Sequence, residues 1–157
     1  MERRAFLRAV VAGIGAGVAA ALAVPAGVVA LAPAFTPRKP LWRALGALED
    51  FPLTATRLAT FDVPPDGWRA GPAHRAVYVW RQGPDEIVVF SRACTDLGCP
   101  VTWDPGSEVF FCPCHGGMFG RDGGRLAGPP NRPLYRYATR VQDGWLEIDT
   151  HSVPPIA

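Results

Sequence analysis

Residues 9–37 carry no charge, and residues 9–32 are almost wholly Ala, Val, Leu, Ile and Gly. A helix needs about 20 apolar residues to cross a bilayer core of about 30 Å. A buried helix of a soluble domain would also need a polar stripe to meet water, and none exists here. The pattern predicts a membrane anchor over 9–32. Residues 33–41 follow as a proline-rich linker in which Pro33, Pro37 and Pro40 end the helix and stiffen the chain. After residue 41 the pattern changes. Residues 75–81 and 86–91 are β-branched and aromatic runs separated by Gln82-Gly83-Pro84-Asp85, a hairpin pattern. Residues 109–112 read as a short strand and 51–63 as an earlier one. Residues 134–142 alternate, with Tyr135, Tyr137, Thr139 and Val141 on one face. Asp143-Gly144 then predicts a type I′ turn into a strand over 145–149. No helical period runs beyond about two turns after residue 41. The expected fold is all-β: a small antiparallel sandwich or barrel over 42–150, with a tail at 151–157.

Composition agrees. The 157 residues suffice for one domain, and 48% hydrophobic with 19% charged residues excludes a disordered chain. Seventeen glycines and 17 prolines without a three-residue period exclude collagen and suit a loop-rich β domain. The net charge of +2 gives no basis for nucleic-acid binding. Its distribution is more informative. The first 40 residues hold Arg3, Arg4, Arg8, Arg38 and Lys39 against Glu2, whereas the remainder holds 11 basic and 13 acidic residues. Basic residues before an apolar span place residues 1–8 in the cytoplasm and the domain outside. The start Arg3-Arg4-Ala5-Phe6-Leu7-Arg8 resembles the twin-arginine export signal, with Glu2 where Ser or Thr is usual. Ala32-Pro33-Ala34 has the form of a cleavage site, but the apolar region is too long for a cleaved signal, so a retained anchor is expected.

All four cysteines fall within 21 residues, in two boxes. The first is Cys94-Thr95-Asp96-Leu97-Gly98-Cys99. The second is Cys112-Pro113-Cys114-His115-Gly116-Gly117-Met118-Phe119. Chemistry alone leaves open disulfides, a zinc site and an iron–sulfur site. His74 and His151 read as strand-end or surface histidines.

The boxes resemble those of Rieske iron–sulfur proteins, in which C-x-H-x-G-C precedes C-x-x-H. The resemblance extends over the anchor, the linker and nearly all of 42–150. It includes Gly128-Pro129-Pro130, similar to the proline loop that covers the Rieske cluster. It is closest to the Rieske subunit of bacterial bc-type quinol–cytochrome c oxidoreductases. It implies a 2Fe–2S cluster held in a subdomain at about 92–133, with Cys94 and Cys112 on one iron and His115 on the other. It also implies a Cys99–Cys114 disulfide and makes His115 the ligand that faces quinol. Position 96, a histidine in the family, is Asp96 here, and we expect its carboxylate to take the fourth place. Leu97, Gly117, Phe119, Gly128, Pro129 and Pro130 would form the surrounding shell. High-potential Rieske proteins carry Ser and Tyr hydroxyls where this chain has Gly117 and Phe119. With an anionic Asp96 as well, the expected potential lies nearer about −150 than +300 mV, suited to menaquinol.

The implied protein is a single-pass subunit of the bacterial cytoplasmic membrane with its domain on the periplasmic side. It would take an electron from quinol beside a cytochrome b-type subunit and pass it to a c-type cytochrome. The alternatives are a clusterless or zinc-holding Rieske-fold subunit with a docking role, and a subunit of another exported oxidase.

Overall fold

The computed structural model describes residues 2–35, 39–63 and 73–154. It divides into two units, residues 1–39 and 40–157, each described here by itself.

The first unit is one helix, α1 (Arg3–Phe35), of 33 residues with no buried side chain. At 1.5 Å per residue it is about 50 Å long, more than a bilayer core requires. By length and composition it can cross a membrane. It runs past both Pro25 and Pro33, so Pro33 does not end it as the sequence reading expects. Proline removes one i→i−4 bond but has a helical φ, and the helix accommodates both prolines. Pro37 lies outside the described residues.

The second unit is built from ten strands: β1 (Trp42–Ala47), β2 (Thr56–Val63), β3 (Ala73–Arg81), β4 (Ile87–Ser91), β5 (Thr102–Asp104), β6 (Val109–Cys112), β7 (Gly117–Gly120), β8 (Arg125–Ala127), β9 (Arg136–Gln142) and β10 (Trp145–Asp149). A 3-10 turn, Leu48–Asp50, is its only named helical element among the described residues. Six strands form one antiparallel sheet in the order β1-β10-β9-β4-β3-β2. Its edge strands β1 and β2 approach each other, so the sheet is nearly closed. The remaining four form the meander β5-β6-β7-β8. This meander is inserted between β4 and β9, which pair directly through Val89↔Tyr137 and Phe90↔Arg136.

The β3–β4 hairpin is the wall between two cores. Val77, Val79 and Val89 face Phe51, Phe61, Tyr137, Leu146 and Ile148 inside the six-stranded sheet. The alternate residues Tyr78 and Phe90 face Val101, Phe110, Phe119 and Leu134 on the side of the meander. Burial on both faces explains why these strands read as nearly continuous apolar runs. Phe110 is the hub of the second core. The Trp103, Tyr78 and Phe90 rings lie 4.7, 5.1 and 5.5 Å from it, centroid to centroid. The Tyr78 hydroxyl donates to the Val101 carbonyl at 3.3 Å and accepts from the Trp103 N–H at 3.2 Å, fixing β5 to β3.

The hairpin at Asp143-Gly144 forms as read. Both residues have positive φ, 51° and 80°, as a type I′ turn requires, and Gln142 pairs with Trp145. The earlier strand is shorter than 51–63, because Thr54 takes a φ of 62° in a turn that precedes β2.

Replacing Phe110 with alanine empties the hub of the second core. We expect a loss of about 3–5 kcal/mol in urea unfolding. A loss below about 1 kcal/mol would show that the hub relaxes around the void.

Candidate metal centre

The two cysteine boxes fold into similar loops. In the first, the Gly98 N–H donates to the Cys94 carbonyl at 2.9 Å; in the second, the Gly116 N–H donates to the Cys112 carbonyl at 3.1 Å. Both glycines have positive φ, 75° and 73°. That conformation is cheap for glycine and costly for residues with a Cβ, which accounts for the shared C-x-x-x-G spacing. The first loop is also closed by the Cys94 N–H to the Cys99 carbonyl at 2.8 Å. A disulfide joins Cys99 to Cys114, fifteen positions apart, and ties the loops together.

Cys94 and Cys112 remain free thiols, each 2% exposed, and both belong to the second hydrophobic core. They lie within hydrogen-bonding reach of each other. Burial pushes the Cys94 thiol above its ordinary pKa, against the opposing effect of the Asp96 N–H donating to its sulfur; Cys112 and the Asp96 charge raise it further. The sulfurs of Cys99, Cys112 and Cys114 lie within 4.8 Å of one another. Two of these are spent in the disulfide, so the group supplies one thiolate, from Cys112, and the other available thiolate is that of Cys94.

His115 and Asp96 face each other across the loops, with Nδ1 3.2 Å from the carboxylate Oδ2. Both are partly open to solvent, the imidazole more so. The two joined loops thus carry two buried sulfurs and, where they are more exposed, a ring nitrogen facing a carboxylate oxygen. This donor set fits an iron–sulfur centre: soft sulfur lies on the buried side, with harder, neutral or anionic donors toward solvent. His74 lies elsewhere, on β3, 2.6 Å from Asp62. His151 follows β10 in the tail and donates its N–H to Asp149.

The surrounding residues fall into three groups. Leu97 projects from the first loop, 72% exposed. Phe119 is fully buried against Phe110 in the second core. Gly117, Gly128 and Pro130 form a close stack. A Cβ on Gly117 would lie 2.8 Å from the Pro130 ring. A Cβ on Gly128, whose φ is +89°, would lie 2.7 Å from the Gly116 carbonyl oxygen and from the Gly117 Cα. The proline loop thus rests on the second box, with Pro130 buried and Pro129 exposed.

Two further contacts were not visible in the sequence. The Thr95 hydroxyl donates to the Arg132 carbonyl at 2.9 Å. The Arg125 guanidinium donates to the carbonyls of Gly128, at 2.8 Å, and Pro130. The one clue was the run Gly128-Pro129-Pro130-Asn131-Arg132-Pro133, in which three residues have no N–H.

The site is thus two disulfide-joined loops, one with Cys94 and Asp96 and the other with Cys112 and His115, beneath a proline loop. Comparison with known proteins makes the class specific. The family model described as Rieske [2Fe-2S] domain matches residues 49–138, and the chain belongs to that family. It is 34% identical over 154 residues to the menaquinol:cytochrome c reductase iron-sulfur subunit of Bacillus subtilis, covering 94% of this chain and 91% of the relative. It is 31% identical over 147 residues to the cytochrome b6-f complex iron-sulfur subunit of Chlorobaculum tepidum, covering 94% and 75%. Membership implies a 2Fe–2S cluster as the cofactor.

Two glycine substitutions separate strain from crowding. Gly144→Ala keeps a φ of +80° in open space, whereas Gly128→Ala combines a φ of +89° with contacts of 2.7 Å to backbone. In urea unfolding we expect about 1 kcal/mol for the first and about 3 kcal/mol or more for the second. Equal losses would mean that the proline loop yields freely.

Proposed function

We propose that this chain is the membrane-anchored electron-transfer subunit of a quinol–cytochrome c oxidoreductase, acting on menaquinol. The observation that carries the reading is the convergence of Cys94, Cys112, His115 and Asp96 on two disulfide-joined loops. Likeness over nearly the whole chain to a menaquinol:cytochrome c reductase subunit supports it. Cys94 and Cys112 would hold one iron as thiolates, and His115 and Asp96 would hold the other. A bound 2Fe–2S cluster supplies one-electron chemistry at this position.

Each residue has a definite task. The second core shields the Cys94 and Cys112 sulfurs from water and oxidants. The disulfide keeps the loops in register; in the chain-entropy model a closed loop of about 15 residues stabilises by about 3 kcal/mol. His115, the more exposed of the two outer donors, meets quinol and accepts a hydrogen bond or proton from its hydroxyl. Asp96 anchors the opposite side through a carboxylate oxygen. Arg3, Arg4 and Arg8 hold the N-terminus in the cytoplasm, which places the domain on the extracytoplasmic side of the bacterial cytoplasmic membrane. A cytochrome b-type subunit and a c-type cytochrome are the partners.

Two features favour a low potential. A carboxylate in place of imidazole adds negative charge, which opposes gaining an electron. Gly117 and Phe119 offer no hydroxyl, and the space at Gly117 is taken by Pro130.

The test is metal analysis and EPR titration of protein purified from a host that assembles such clusters. Wild type should hold about two irons and two sulfides per chain. Asp96→His should keep the iron and raise the potential, and Asp96→Ala should lose iron. Wild type without iron or sulfide would overturn the redox reading in favour of a docking role. Iron retained in full by Asp96→Ala would remove Asp96 from the donor set.

A further inference from the structure

We propose that Arg125 is a positioning residue that clamps the proline loop over the two-box site. The inference rests on the reading of that site as the cluster site. It begins from a shortage of donors. Pro129, Pro130 and Pro133 have no N–H, so the loop has few backbone donors with which to fasten itself. Its ties run the other way: its carbonyls accept from side chains outside it. Thr95 holds the far end at Arg132. Arg125 holds the near end, with Nε on the Pro130 carbonyl and Nη2 on the Gly128 carbonyl.

The geometry requires arginine rather than any cation. The guanidinium presents Nε–H and Nη2–H as a rigid planar fork and so meets two carbonyls at once, whereas an ammonium offers a compact point charge. The two carbonyls belong to the residues that rest on the second box. Gly128 packs on the Gly116 carbonyl and Gly117 Cα, and Pro130 packs on Gly117. Gly116 in turn closes the second loop through its N–H to the Cys112 carbonyl, directly after His115. Arg125 thus sets the height of the loop above His115 and Cys112 through two layers of backbone contact. It lies on β8, whose partner β7 begins at Gly117, so the clamp and the second box share one rigid sheet. Arg125 is itself exposed, so its replacement leaves both hydrophobic cores intact.

The experiment compares full-length wild type, Arg125→Gln and Arg125→Lys. Hydrogen exchange at the Gly116 amide should quicken about tenfold in Arg125→Gln, because the charge-assisted bonds that press the loop onto it are gone. Exchange in the Trp145–Asp149 strand should not change. Arg125→Lys, with the charge but not the fork, should fall between. In iron-loaded protein, release of iron to a chelator should quicken in the same order, and the EPR spectrum should shift in Arg125→Gln. Unchanged Gly116 exchange in Arg125→Gln would overturn the proposal. So would acceleration spread equally over all strands, or wild-type behaviour of Arg125→Lys. Wild type without iron would instead refute the cluster reading, while the exchange comparison still decides the clamp.

Discussion

Two thiols inside a hydrophobic core are the constraint around which this domain is organised. Cys94 and Cys112 pack with Phe110, Phe119, Val101 and Leu134 as small apolar side chains would. Holding them as thiolates there is costly, and burial accordingly raises the Cys94 pKa. A cation held by the two sulfurs would offset that cost. The side chains that stabilise the meander also exclude water from the sulfurs. Loosening Phe110 would therefore disturb the site even though no atom of Phe110 belongs to it.

The insertion between β4 and β9 determines how that arrangement is held. Strands β4 and β9 are direct neighbours, so both ends of the meander are pinned at one place on a six-stranded sheet. The loops can then be glycine- and proline-rich without being loose. Gly98 and Gly116 supply the turns, the disulfide joins the loops, and the Thr95 and Arg125 donors fasten a segment poor in donors of its own.

Much of this was legible in the sequence because the features concerned are local. The two boxes announce themselves by spacing, and Asp143-Gly144 by turn chemistry. Strands β3, β4, β6, β9 and β10 carry enough β-branched or aromatic residues to be read directly. Strand β1, Trp-Arg-Ala-Leu-Gly-Ala, gives no strand signal in the sequence, because it has no alternation. It is a strand because β10 offers a partner more than 100 residues away, and its ladder shifts register at Gly46. Strands β5 and β8 have three residues each, and β7 begins and ends on glycine, so none carries a period. Thr95 and Arg125 give no sequence signal for another reason. Both act on main-chain carbonyls, and a carbonyl leaves no mark in a sequence.

Asp96 stands where the motif C-x-H-x-G-C has histidine, and the departure is smaller in geometry than in charge. The Nδ1 of histidine and the Oδ of aspartate are both two bonds from Cβ. A carboxylate at position 96 can therefore present an oxygen at the reach of an imidazole Nδ1 without a change of backbone. Asp96 Oδ2 faces His115 Nδ1 on the opposite loop at 3.2 Å. The charge does differ. Two thiolates, one imidazole and one carboxylate carry one more negative charge than two thiolates and two imidazoles. Desolvation magnifies that difference on the Cys94 side, where sulfur is buried, and water moderates it near Asp96 and His115, which are partly exposed. Asp96 thus has its carboxylate on the wetter side of the two loops, where an added negative charge is least costly.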